Sequence, residues 1–188
     1  MNKVILVTGA AKRIGKQIAK EFFAIDFNII VHFNSSSEDA ISLCNELNAI
    51  RPNSAISIQA NLDHMSDVKD LASQAMSAFG RIDGLINNAS TFYPTPMGEF
   101  SEKDWDALMG SNLKAPLFLV QELHEELKRQ SGFVINVTDI NIKRPIKNHS
   151  IYLAAKSGLD TLTKSLAKDL ASEIRVNAIA PGAILEPP

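Results

Sequence analysis

The sequence predicts an α/β fold, a doubly wound parallel sheet, from three observations. Short apolar, β-branched runs alternate along the chain with longer stretches whose apolar residues recur every three or four positions. Six such runs, each separated from the next by a helical stretch, imply parallel pairing through right-handed crossovers, with the strands ordered 3-2-1-4-5-6. A glycine-bearing turn, TGAAKRIG at residues 8–15, follows the first run directly.

The strands are expected at residues 4–7, 27–33, 55–59, 84–87, 133–137 and 175–179. Between them, helices are expected at 13–24, 38–49, 66–79, 105–128 and 150–170. In 66–79, Val68, Leu71, Ala72, Ala75 and Phe79 make one stripe; in 150–170, Ala155, Leu159, Leu162, Leu166 and Leu170 make another. The second stripe leaves Tyr152 and Lys156 as neighbours one turn apart. No repeat, linker or low-complexity tract divides the chain, so residues 1–188 read as a single domain.

Composition narrows the function classes. Lys and Arg number 19 against 21 Asp and Glu, with no long basic block, which points away from nucleic acid and from anionic membranes. Cys44 is the single cysteine, so an internal disulfide and a cysteine metal cluster are excluded and a reducing compartment is expected. The N-terminal MNKVILVTG has too short an apolar run for a signal peptide, and no membrane span is evident; a soluble cytoplasmic protein is expected.

In doubly wound sheets ligands lie beyond the carboxyl ends of the strands, near the point where strand order reverses. After the first strand, Gly9 allows a tight turn and Gly15 lets the next helix pack closely, while that helix's N-terminal amides suit a diphosphate. Arg13 stands where a dinucleotide loop has its middle glycine, and its fork could meet a phosphate or an acceptor-rich substrate edge. A plain strand-to-helix turn is the alternative. After the second strand the chain reads HFNSSSED, with no acid at Phe33 or Asn34 to accept from a ribose 2′-hydroxyl. Asn34, Ser35, Ser36 and Ser37 offer donors and Lys12 and Arg13 lie nearby, which favours a 2′-phosphate and hence NADP(H). Serines that only cap the following helix are the alternative.

Tyr152 and Lys156 carry the candidate chemistry. A phenol has a pKa of about 10, and an ammonium held close favours the phenolate, so Tyr152 is expected to exchange a proton nearer neutral pH. A surface pair without function is the alternative. Pro116 lacks the amide hydrogen that would bond the carbonyl of Asn112, leaving that acceptor free; a proline that merely starts or bends a helix is the competing reading.

With TGAAKRIG, NNAS at 87–90, Asn112, Tyr152 with Lys156, and Pro181 with Gly182 all in order, the chain resembles the short-chain dehydrogenase/reductase family over residues 3–187. That resemblance implies a Rossmann-like fold. Arg13, the run Ser90, Thr91, Phe92 and Tyr93, Asp139 where most relatives have serine, and LNAIRPNSAI at 47–56 resemble the pteridine reductase branch, which includes bacterial dihydromonapterin reductases.

The resemblance implies Tyr152 as proton donor, Lys156 as the group that lowers its pKa and binds the nicotinamide ribose, and Asn112 as holder of a relay water. Asp139, at the family spacing before Tyr152, would be the third catalytic group and suits reduction of a C=N bond; an Asp that only caps a loop beyond the fifth strand is the alternative. NADP(H) would lie along Gly9, Arg13, Ile14, Asn34, Ser35 and Ser36, then Asn61 and Leu62, where the family more often has Asp than Asn61. It would continue past Asn88, Ala89 and Ser90 to Tyr152, Lys156, Pro181 and Gly182. A pterin or folate would meet Arg13, Ser90, Asp139 and Tyr152 and stack on Phe92; a loop phenylalanine that serves packing alone is the alternative.

The family also continues beyond Gly182 with a substrate-covering loop, a helix and a seventh strand, so the chain is expected to be C-terminally incomplete, and a homodimer or homotetramer is expected through helices 105–128 and 150–170. The expected function is NADPH-dependent reduction of a dihydropterin or dihydrofolate. The alternatives are a ketone, sugar or 3-oxoacyl reductase of the same family and a non-catalytic NADP-binding protein.

Overall fold

A computed structural model of the chain describes residues 2–182. Its strands are β1 (Val4–Val7), β2 (Asn28–Phe33), β3 (Ala55–Gln59), β4 (Gly84–Asn87), β5 (Phe133–Val137) and β6 (Arg175–Ile179). They form one parallel sheet ordered β3-β2-β1-β4-β5-β6, as the alternating pattern predicts. The helices are α1 (Arg13–Ala24), α2 (Ser37–Ile50), α3 (Met65–Phe79), α4 (Glu102–Met109), α5 (Ala115–Arg129) and α6 (Ser150–Asp169).

Alternation along β1 sorts the two layers. Ile5 and Val7 face a core shared with Ala19 and Phe23 of α1 and Leu43 and Leu47 of α2. Val4 and Leu6 face the opposite core, closed by Leu71 and Ala75 of α3 and Leu119 and Leu123 of α5. Leu166 and Ala167 of α6, with Leu170 just beyond it, extend that second core. Because β1 pairs with β2 on one side and β4 on the other, the chain reverses direction across the sheet there, and the crevice opens at the carboxyl ends of those strands.

Two boundaries differ from the sequence reading. Phe27 belongs to the turn that ends α1: its amide bonds Phe22 O at 3.1 Å and its ring packs edge-on to Phe22 at 5.2 Å. The expected helix 105–128 is instead α4, a π-turn at Gly110–Lys114, and α5. Ser101 and Asp104 form a capping box that starts α4 at Glu102, before the apolar pattern begins. The break has its cause in Pro116, which cannot supply the amide that would bond the Asn112 carbonyl, so the ladder widens and Ala115 N bonds Gly110 O.

A buried polar ladder seats α6 on the sheet. Asn87 and Asn136 are register partners, and Asn87 Nδ2 donates to Asn136 Oδ1 at 2.8 Å. Asn136 Nδ2 in turn donates to Thr163 Oγ1 at 2.9 Å, and that hydroxyl donates to Leu159 O at 2.7 Å. Replacing Asn136 with Leu leaves Asn87 Nδ2 and Thr163 Oγ1 short of a partner. The expected cost is ~3 kcal/mol, read as a lower urea midpoint with an unchanged slope.

Candidate active site

The crevice begins at the turn after β1. Gly9 is left-handed, with φ +61, and a Cβ there would come within 2.9 Å of Ala89 Cα. At Gly15 a Cβ would meet Gly9 O at 2.2 Å and Asn88 Nδ2 at 2.6 Å, so the start of α1 lies directly on the turn. Arg13 holds the position of the missing glycine in the same left-handed region, φ 52, at a strain of about 1 kcal/mol. α1 has Lys12 at its N-cap with no side-chain cap, leaving its first amides available to an anion.

The ends of β1 and β4 are stitched across the crevice. Thr8 Oγ1 accepts from the amides of Asn88 at 2.9 Å and Ala89 at 3.0 Å. Asn88 Nδ2 donates back to Thr8 O at 2.8 Å and Gly9 O at 3.1 Å. This rim encloses a cavity of about 450 Å³. Gly9, Arg13 and Ile14 line it from the turn, Asn34, Ser35 and Ser36 from the end of β2, and Asn61 and Leu62 from the end of β3. Asn88, Ala89, Ser90 and Phe92 line it from the end of β4.

At the β2 end, Ser36 takes the N-cap position of α2 but makes no side-chain cap bond, so capping does not consume its hydroxyl. Lys12 Nζ pairs with Asp39 Oδ2 at 3.0 Å, tying the glycine turn to the first turn of α2. Asn61 turns its Oδ1 inward to the Asp63 amide at 3.1 Å.

The second group of residues lies beside this cavity rather than on its lining. Tyr152 and Lys156 are 5% and 2% exposed, so they are not a surface pair. The packing of Leu108 against Ile151, Tyr152 and Leu153 buries the start of α6 under α4. Tyr152 Oη donates to Asp139 Oδ2 at 2.6 Å. Lys156 Nζ donates to Val137 O at 2.8 Å and stands 5.9 Å from the Tyr152 ring centre. Asn112 is wholly buried: its Oδ1 accepts from Ser90 Oγ at 2.7 Å, and its Nδ2 donates to Thr91 O at 2.8 Å and Leu108 O at 2.9 Å. Pro181 adjoins through its carbonyl, which accepts from Ile140 N at 3.2 Å, while a Cβ at Gly182 would meet nothing within 4 Å among the described residues. Ser90 and Phe92 join the two groups. The Ser90 hydroxyl lies beside the Tyr152 phenol, and the Phe92 ring stands 4.8 Å from the Tyr152 ring, edge to face.

Electrostatics here run against the expectation that Lys156 would favour a phenolate. Burial, then the hydrogen bond to Asp139, push the Tyr152 phenol well above its ordinary value. Burial lowers Lys156 to about 8, with Asp139 opposing. The ammonium is spent on the Val137 carbonyl, so the phenol's nearest charged neighbour is a carboxylate, and Tyr152 is held as a proton donor.

Among the cavity residues that escaped the sequence reading are His32, Asp63 and Ser111. His32, next to last in β2, is 1% exposed; its signal was a lone imidazole in an otherwise apolar strand end. Asp63 lines the cavity with Oδ1 buried and unpartnered among the described residues, and burial raises its carboxyl.

Uncapped helix starts at α1 and α2, a turn with no room for a Cβ, and hydroxyls and amides around a long cavity fit a dinucleotide diphosphate and its riboses. A buried phenol, carboxylate and amine at its side complete the pattern of a nicotinamide-dependent oxidoreductase. The chain matches the short chain dehydrogenase family model over residues 3–187 and belongs to that family, whose members use NAD(P)H. It is similar to pteridine reductase 1 of Leishmania tarentolae, 36% identical over 218 aligned positions that cover 95% of this chain and 75% of that protein. It is also similar to the 3-oxoacyl-[acyl-carrier-protein] reductase FabG of Staphylococcus epidermidis, 35% identical over 187 positions, covering 98% and 76%. Hydroxynaphthalene reductase-like protein Arp2 of Metarhizium guizhouense is 32% identical over 183 positions, covering 97% and 68%. No helix among the described residues is long and apolar enough to cross a membrane.

Burial lowers His32 from 6.5 to about 4. The unfolded chain therefore binds that proton at a higher pH than the folded one, and stability is fully present above about 6.5 and lost as pH falls toward about 4. The loss from this ring is on the order of 3 kcal/mol, and urea titrations across that range should show it shrink in His32→Gln.

Proposed function

We propose that this chain belongs to an NADPH-dependent reductase of a dihydropterin or dihydrofolate. The observation that carries the reading is the 2.6 Å hydrogen bond from the Tyr152 phenol to the Asp139 carboxylate. Members of the family that reduce ketones resemble one another in having a serine at that position, where a hydroxyl steadies the substrate oxygen. A carboxylate instead gives the phenol a partner that can take up and return a proton, which suits a ring nitrogen protonated as the adjacent carbon is reduced.

When bound, the nicotinamide supplies the hydride, and the chain's own residues supply everything else. Tyr152 would deliver the proton, and Asp139, which accepts the phenol's hydrogen bond, orients its hydroxyl and keeps it protonated until then. Lys156, lowered by burial to about 8, is anchored on the Val137 carbonyl one helical turn from Tyr152. Asn112, wedged in the π-turn, fixes Ser90 against the phenol. Phe92 offers a flat apolar wall at the cavity edge for a heterocycle. Preference for the 2′-phosphate rests on Asn34, Ser35, the uncapped Ser36 and Arg13, with no carboxylate at the end of β2. The similarity to a protein named pteridine reductase 1 supports the same reading.

A second reading, reduction of a ketone or of a 3-oxoacyl thioester, is favoured by the near-equal identity to the FabG reductase. Following NADPH oxidation by the full-length protein with dihydrobiopterin, dihydromonapterin, dihydrofolate and a simple ketone separates the two. Turnover of the ketone alone would overturn the pterin reading. Tyr152→Phe should lower kcat by roughly 10²–10⁴ with NADPH affinity retained, measured by steady-state kinetics and fluorescence titration. In Asp139→Ser, pterin turnover should fall more than ketone turnover; the opposite order favours the second reading.

A further inference from the structure

His32 plays no part in the chemistry above, yet it sits where three strands end. Its Nδ1 lies 3.0 Å from the Gly9 amide nitrogen, and its Nε2 lies 3.1 Å from the Ala60 carbonyl oxygen. An amide nitrogen only donates and a carbonyl oxygen only accepts. The ring must therefore carry its single proton on Nε2 and present a lone pair at Nδ1. The main chain of the same residue holds the next position, because the Ala10 amide donates to His32 O at 2.9 Å. Both residues of the turn thus hang from His32, Gly9 by the ring and Ala10 by the backbone.

The connection continues on the far side. Ala60 N donates to Phe33 O at 3.0 Å, so the ring clamps the ends of β1 and β3 onto β2. Without the imidazole, the amide of the left-handed Gly9 would lose its acceptor, in a turn whose Gly9 carbonyl leaves no room for a Cβ at Gly15. A doubly protonated ring could not accept from Gly9. Burial, which lowers this imidazole to about 4, keeps it neutral through the physiological range.

We propose that His32 is a positioning residue for the dinucleotide, its neutral Nε2–H imidazole fixing the Gly9 turn so that the first amides of α1 stand ready for the diphosphate. The proposal rests on the reading that this loop holds a dinucleotide diphosphate and is independent of the pterin substrate.

The test uses full-length protein with NADPH as the probe. His32→Leu removes both bonds and should weaken NADPH binding about tenfold or more, with kcat at saturating NADPH within about twofold of the parent. His32→Gln carries an acceptor and a donor on one amide and should restore most of the affinity. In the unsubstituted protein labelled with ¹⁵N-histidine, the ring assigned to His32 should be a neutral Nε2–H tautomer at neutral pH, and its Nδ1 resonance should move when NADPH binds. Parent-like NADPH affinity in His32→Leu, equal loss in folded Leu and Gln variants, or an Nδ1–H ring would each overturn the proposal. Should His32→Leu fail to fold, the tautomer and its response to NADPH decide the matter. Failure of the unsubstituted protein to bind NADPH or NADH would instead overturn the cofactor reading itself.

Discussion

Every strand of a parallel sheet delivers its carboxyl end to the same rim, where the ladder stops and backbone groups must find partners elsewhere. That constraint organises this molecule. Thr8 and Asn88 satisfy the groups freed where β1 and β4 part, and His32 satisfies those between β1, β2 and β3. What remains unsatisfied, chiefly the first amides of α1 and α2, opens into the cavity. A recess of fixed donors follows from the sheet's own termination, and it suits an anion because the leftover groups are amides.

The second half of the site depends on burial. α6 runs over β5 with its Tyr152–Lys156 edge turned inward, seated by the Asn87, Asn136 and Thr163 ladder and covered by α4. Withdrawal from water disfavours charge on both side chains, raising the phenol and lowering the amine. Asp139 reinforces the first effect and opposes the second, so one carboxylate couples two groups of opposite sign. The π-turn belongs to the same assembly: it brings Asn112 inward to hold Ser90, whose hydroxyl faces the phenol from the cavity side.

Much of the fold was legible because burial on both faces of a sheet demands apolar runs, and a run such as Val4–Val7, buried throughout, matches that demand. Legibility faltered where a local signal competed with periodicity. Phe27 looked like strand but serves the turn, and the single helix read over 105–128 crossed a ladder that Pro116 had already opened. Of the candidate site, the order of the strand-end segments could be read from spacing, which is why the cavity lining includes so many of the residues singled out. His32 and Asp63 were passed over because their importance lies in partners distant in sequence: Gly9 lies 23 residues from His32, and Gly110 packs against Asp63 from another element.

The sequence by itself determined the element order, the sheet topology, the position of the glycine turn and the residue types available at the rim. These follow from periodicity, chirality and steric freedom, which are local properties of the chain. Only the tertiary structure decided the proton inventory: that Lys156 bonds the Val137 carbonyl rather than steadying a phenolate, that Tyr152 donates to Asp139, and that His32 is a neutral ring with one allowed tautomer. Charge state depends on depth and on the nearest dipole, and neither exists until the layers have closed.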